Sequence, residues 1–126
     1  MNYEEFKIVF DKICEKLNVK YNDISLYREA FTHPTYANEN KNVKGIRDYE
    51  RLEFLGDALL DFIVGEYLFE TRNFDEGDMS KLRAKYVCED ANAFYVKEFG
   101  LDKCIFLGNG AMKTGEGKKQ SVLGNI

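Results

Sequence analysis

The sequence predicts an all-α domain, and three observations carry that prediction. Apolar residues recur at helical spacing along most of the chain, alternating runs of useful strand length are missing, and proline occurs once, at Pro34. A chain of 126 residues is one domain's worth and buries enough surface to need no disulfide staples. Its composition, 44% hydrophobic and 32% charged, is that of a globular protein, and the 14% aromatic share comes from ten Phe and eight Tyr with no Trp. No apolar run approaches the ~20 residues of a membrane span. The opening stretch, MNYEEFKIVFDKICEK, mixes acids and bases through its apolar positions, unlike a signal or transit peptide. Cys14, Cys88 and Cys104 are an odd number without CxxC spacing, which argues against a disulfide framework or zinc site and for a reducing, cytoplasmic setting. The cysteines read as buried small hydrophobes. A net charge of −4 is the wrong sign for binding nucleic acid by bulk charge alone. A cluster of acids set aside for metal ions would lower that total without abolishing a basic surface elsewhere.

The elements follow in order. Phe6, Val9, Phe10, Ile13 and Leu17 form the apolar stripe of a first helix. Asn18 and the Tyr21-Asn22-Asp23 stretch supply turn chemistry, and a short helix over 25–31 ends before Pro34, which holds His33 extended. Residues 35–48 are polar and read as a loop. Over 49–70 the pattern is strongly helical, with Leu52, Leu55, Leu59, Phe62 and Ile63 as the stripe expected to be buried. Gly56 costs that helix about 1 kcal/mol relative to Ala, and close crossing by another helix would explain it. A loop is predicted over 71–78, then a helix from Met79 capped by Asp78 or Gly77. Asp90 reads as the cap of a helix carrying Phe94, Tyr95, Val96 and Phe99 and stopped by Gly100. Four glycines make 107–119 a predicted flexible loop, and Ser121 reads as the N-cap of a final one-turn helix.

The chemistry concentrates in YERLEFLGDALLD, residues 49–61. With Glu50 at 0° and ~100° per residue, Glu53 lies near 300°, Asp57 near 340° and Asp61 near 20°, whereas the leucines lie at about 140–200°. Four carboxylates thus share one helix face without an interleaved Lys or Arg. Glu53–Asp57 and Asp57–Asp61 are like-charge i,i+4 pairs, each unfavourable by about 0.2–0.5 kcal/mol. Such a face is either solvated or holds a hard divalent cation on oxygen ligands, and spacing alone leaves both open. Asp75, Glu76 and Asp78 read as a capping segment, since the helix dipole favours acids at an N-terminus.

These residues also carry a resemblance. ERLEFLGD at 50–57 is similar to the signature of the ribonuclease III family, helical endonucleases that cleave double-stranded RNA with Mg²⁺. AFTHPTY at 30–36, DEGDMSKLRA at 75–84 and SVL at 121–123 match flanking motifs in the same order and spacing. The resemblance covers essentially the whole chain and points to the N-terminal endonuclease domain of a bacterial ribonuclease III. The mini forms of the family, which depart from this sequence after GDA, resemble it less.

The resemblance implies an all-α ribonuclease III endonuclease fold and a homodimer in the cytoplasm. It implies hydrolysis of double-stranded RNA with Mg²⁺, or Mn²⁺ as substitute, in RNA processing that includes rRNA precursors. Asp57 corresponds to the catalytic aspartate and Glu53 to a metal ligand, while Glu50 and Glu76 match acids of the catalytic valley. Phe54, near 40° on the wheel, falls on the dimer face. The family's usual Ala-Asp after Ser-hydrophobic-Leu is here Gly124-Asn125, so a neutral amide oxygen stands where a carboxylate binds metal. A further glutamate ligand and a double-stranded-RNA-binding domain are expected after Ile126, making residues 1–126 a domain incomplete at its C-terminus. Lys113, Lys118 and Lys119 are the local candidates for phosphate contact, with Arg83 and Lys85 behind them. His33 reads as a structural residue anchoring its turn, because the family works with carboxylates and metal. Two rivals remain: a catalytically silent, truncated helical dimer that binds RNA or a protein partner, and an unrelated helical metal binder.

Overall fold

The computed structural model describes residues 1–71 and 73–126, and the fold is all-α. Its helices are α1 (Tyr3–Leu17), α2 (Ile24–Ala30), α3 (Pro34–Glu39), α4 (Glu50–Thr71), α5 (Glu76–Tyr86), α6 (Glu89–Glu98), α7 (Asn109–Lys113) and α8 (Gln120–Leu123), with 3₁₀ turns at Leu101–Cys104 and Glu116–Lys118. Arg72, part of the predicted 71–78 loop, lies outside the described residues.

The core is aromatic and sits around α1. Phe6 and Phe10 stack at 5.3 Å between ring centres, and Phe6 meets Phe106 at 5.1 Å and Phe31 at 5.8 Å. Each such ring, fully buried, contributes roughly 1.5–3 kcal/mol. The predicted α1 stripe holds as far as Ile13: Phe6 and Phe10 are buried, with Val9 and Ile13 packed against the same cluster, whereas Leu17, in the last turn, is exposed. A capping box between Asn2 and Glu5 opens the helix, and Asn18 closes it at φ 54° in the left-handed region. A lone parallel bridge between Thr32 and Phe106 ties the end of α2 to the segment after α6. Of the cysteines, Cys14 and Cys104 are buried, and burial pushes the Cys104 thiol up to about 11; Cys88 is exposed, contrary to expectation.

Several predicted boundaries move, each for a local reason. Residues 35–48 are not all loop, because Pro34 both blocks continuation of α2 and serves as the pre-organised first residue of α3. His33 caps α3, its Nδ1 accepting from the Thr35 amide at 3.2 Å, so it is the turn anchor expected. Helix α4 runs through Thr71, and α5 begins at Glu76 because the Asp75 carboxylate accepts from the Asp78 amide at 2.8 Å. Cys88, not Asp90, precedes α6, and Asp90 accepts instead from the Gln120 side chain at 3.2 Å.

The glycine-rich segment is pinned rather than free. Gly108 donates to Thr35 Oγ1 at 3.0 Å and Asn109 to the Glu39 carboxylate at 2.9 Å, which lets α7 form. Lys119 rather than Ser121 takes the cap position of α8. A single turn is marginal by itself, but Val122 and Leu123 are buried and α8 packs on α6.

The α4 stripe is the largest departure. Leu55, Leu59, Phe62 and Ile63 are 50–63% exposed, Leu52 is half-buried, and Leu68 is the residue of α4 that is buried. Within this chain α4 packs chiefly on α5 and lightly on α2, leaving its apolar girth unpartnered. No helix crosses at Gly56 either, since a Cβ there would meet nothing within 4 Å.

Candidate active site

Tyr49 anchors the N-terminal end of α4. It is 4% exposed, its amide donates to the Thr32 carbonyl at 3.0 Å, and its ring stands edge-on to His33 at 5.9 Å. The Asp48 carboxylate accepts from the Glu50 amide at 3.1 Å, and the Glu53 amide donates to the Tyr49 carbonyl at 2.8 Å. Helix geometry then carries Glu53 and Asp57 onto one side of α4.

Both carboxylates line an open hollow of ≈ 400 Å³ whose other walls come from α6, through Asn92 and Tyr95, and from the segment after α8, through Asn125. The walls are otherwise mostly apolar. Glu53 is half-buried, and burial, followed by the charges of Asp57 and Glu50, raises its carboxyl above the ordinary 4.5. Burial likewise pushes the Tyr49 phenol up; the Asn125 hydrogen bond opposes this, and the charges of Glu53, Glu50 and Asp48 add to it. The Asn125 Nδ2 donates to the Tyr49 hydroxyl at 3.5 Å, joining positions 76 residues apart. Asn92 Oδ1 is buried without a hydrogen-bond partner among the described residues.

The hollow is therefore lined by two carboxylates and by the side-chain amides of Asn92 and Asn125, whose oxygens are hard donors of the kind a divalent cation such as Mg²⁺ takes, with water completing the octahedron. Among the described residues no three His, Cys, Asp or Glu side chains cluster closely enough to hold a metal. A cation here would depend on Asn125 or water for its remaining ligands. On that donor chemistry the residues fit a hard cation.

The remaining candidates are dispersed. Asp61 lies outside the Glu53–Asp57 hollow and lines a second one with Glu76, between α4 and α5. Glu76 accepts from Ser80 Oγ at 2.8 Å and so belongs to α5's own first turn as well. Glu50 lines a third recess, on the Phe54 side of α4 with Arg47 and Arg51, yet its charge still reaches Glu53. Phe54 is 82% exposed. Lys113 ends α7, Lys118 lies in the 3₁₀ turn, and Lys119 pairs with Glu116 at 2.7 Å. Sequence reasoning missed Tyr49 and Asn92. The first had a signal, since it directly precedes ERLEFLGD; the second had none, because its place in the wall depends on how α6 packs.

Comparison with known proteins bears on the fold and the family. The family model for ribonuclease-III-like proteins matches residues 23–126. Ribonuclease 3 of Shouchella clausii is 40% identical over 124 residues, covering 98% of this chain and 47% of that protein. Ribonuclease 3 of Streptococcus gordonii is 42% identical over 115 residues, covering 90% of this chain and 49% of that protein. The chain spans about half the length of the curated relatives it matches. Among solved structures, the nuclease domain of ribonuclease III from Campylobacter jejuni, described for structural flexibility in a region involved in dimer formation, aligns with a TM-score of 0.76 at 36% identity, covering 90% of this chain and 76% of that one. A second structure of the same nuclease domain gives 0.75 at 36% identity, with 91% and 74% covered. Fold, ordered motifs and family match converge: the chain belongs to the ribonuclease-III-like family.

Proposed function

We propose that this chain is the endonuclease domain of a ribonuclease III-type protein that hydrolyses phosphodiester bonds in double-stranded RNA, in RNA processing that includes rRNA precursors. The observation that carries the reading is the shared hollow, in which Glu53 and Asp57 from α4 stand beside Asn125 from the far end of the chain. Glu53, Asp57 and Asn125 would hold a divalent cation, Mg²⁺ or Mn²⁺, with Asp57 as the catalytic residue. When bound, that cation supplies Lewis acidity at the scissile phosphate. The chain's own contribution is to fix three oxygen donors on packed elements and to half-bury Glu53 among like charges, so that burial first, and the charges of Asp57 and Glu50 after it, raise its affinity for protons.

A second copy would bury Phe54, which stands exposed off the apolar stripe on the acidic side of α4, and set two such hollows along one duplex. Glu50, on the Phe54 side, and Glu76, in the neighbouring hollow, would then line the valley between copies. Lys113, Lys118 and Lys119 would meet phosphates. Recognition rests on shape and backbone, because an A-form duplex hides its base edges in a deep, narrow groove.

A labelled RNA duplex incubated with Mg²⁺ tests the reading. Cleavage that disappears in Asp57→Asn supports it, and cleavage that survives unchanged in that variant refutes it. The neutral Asn125 favours a second reading, a catalytically silent dimer that binds RNA or a protein partner. Duplex binding without cleavage, with Asn125→Asp also inactive, would select it.

A further inference from the structure

Asn125 is the unusual member of the candidate site, because a neutral amide has two unlike ends. Its carbonyl oxygen can ligate a cation, while its NH₂ group can only repel one. A carboxylate at the same position would present oxygen whichever way it turned. An asparagine that serves a cation therefore needs something to decide its orientation, and the structure contains such a group. The Asn125 Nδ2 points to the Tyr49 hydroxyl at 3.5 Å. The amide is planar, so engaging its nitrogen there directs its oxygen the other way, and Asn125 lines the hollow that holds Glu53 and Asp57.

Tyr49 is well placed to impose that choice. It is 4% exposed, its amide is tied to the Thr32 carbonyl, its ring abuts His33, and its carbonyl accepts from Glu53 at the opening of α4. The hydroxyl thus sits in a frame shared with the helix that carries both carboxylates. Asn125 is held from the other side, since its amide donates to the Val122 carbonyl at 3.1 Å and Val122 and Leu123 are buried.

We infer that Tyr49 is a positioning residue: it holds the nitrogen end of Asn125 so that the carbonyl end faces Glu53 and Asp57, which makes a neutral side chain serve as the third oxygen of the cation site. The inference rests on the proposed cation-dependent reading of that hollow. It gives Tyr49 a role that its burial alone does not require, and it explains how asparagine stands in for aspartate here.

The test is calorimetric titration of the metal-free chain with Mn²⁺, in four forms: parent, Tyr49→Phe, Asn125→Asp, and the double variant. Tyr49→Phe keeps the ring and removes only the hydroxyl. In the Asn125 chain it should weaken Mn²⁺ binding on the order of tenfold, as loss of a ligand-orienting partner does. In the Asn125→Asp chain it should change binding by no more than about twofold, because a carboxylate has no wrong end. Equal weakening in both backgrounds would assign Tyr49 a merely structural role and overturn the inference, as would no weakening in the parent.

The two ways of failing are separable. If Asn125→Asp binds Mn²⁺ and the parent does not, the orienting role is wrong while the site stands. If neither binds, the cation reading itself falls and takes the inference with it. Should Tyr49→Phe fail to fold, the side-chain NH₂ signal of Asn125, assigned by its loss in Asn125→Asp, provides a second reading. It should shift when Mg²⁺ is added to the parent, and an unmoved signal overturns the inference.

Discussion

Glu53 and Asp57 stand one helical turn apart on the same side of α4, and the charge of Asp57, second only to burial, makes Glu53 hold its proton more tightly than a free glutamate does. Two carboxylates so placed repel each other at neutral pH, and the repulsion is a standing cost of the apo domain. Whatever relieves it stabilises the fold.

A divalent cation should therefore raise the melting temperature. At about a hundredfold excess over its Kd, Mg²⁺ or Mn²⁺ adds roughly 2.7 kcal/mol, which is several degrees for a domain of this size. Thermal scans should lose most of that shift in Glu53→Gln with Asp57→Asn. The metal-free double variant should be as stable as the parent, or more stable by about 0.2–0.5 kcal/mol. Equal shifts in parent and variant would place the cation elsewhere.

The pH dependence has a fixed sign. A carboxyl whose folded-state pKa is raised stabilises the fold only while it is protonated, and that contribution is lost as pH rises through its folded value. In metal-free buffer, parent and Glu53→Gln should be equally stable below 4.5, Glu53's ordinary value. As pH rises through the window above it, the parent should become the less stable of the two. Denaturant titrations of both chains across that range check this. Cation affinity should move the opposite way and tighten as Glu53 deprotonates.

Phe54 should matter to assembly and not to the folded chain. At 82% exposure it has little packing to lose, so Phe54→Ala should change stability at low concentration by less than about 0.5 kcal/mol. A buried aromatic at the centre of an interface commonly costs 2 kcal/mol or more when removed. Sedimentation equilibrium should accordingly show self-association weakened by about tenfold or more. An unchanged dissociation constant would remove Phe54 from the proposed dimer face.

Two glycines should respond oppositely to alanine. A Cβ at Gly56 meets nothing within 4 Å, so Gly56→Ala should stabilise the single chain by about 0.5–1 kcal/mol through helix propensity. At Gly124 a Cβ would come within 2.7 Å of Glu89 Cγ and 3.0 Å of the Glu89 carbonyl. Gly124→Ala should cost about 1–3 kcal/mol and loosen α8 from α6. Thermal melts of both variants decide the matter.

The fold class, the α1 stripe as far as Ile13, the extent of α4 within a residue or two and the local pairing of Glu53 with Asp57 were legible in the sequence, because each is set by periodicity over a few turns. So was His33 as a structural residue, since the proline after it constrains its backbone directly. The caps were less legible: Asp75, Asp78 and Asp90 are all chemically able to cap, and only backbone geometry selects among them. The glycine-rich stretch failed for a different reason. Its helix depends on Thr35 and Glu39, about seventy residues away, accepting the amides of Gly108 and Asn109.

What the sequence by itself determined is local: which faces are apolar, which are acidic, and which motif the acids belong to. Tertiary structure alone decided which of those faces meet. It set Asp61 and Glu76 in a hollow of their own, apart from Glu53 and Asp57, because α5 packs along α4 beside Asp61 while α6 and the segment after α8 wall the other hollow. It brought Asn125 to Tyr49 across 76 residues, a contact that depends on α8 docking against α6. It also left Leu55, Leu59, Phe62 and Ile63 half or more exposed, because periodicity records that a helix face is apolar, while burial depends on what packs against it.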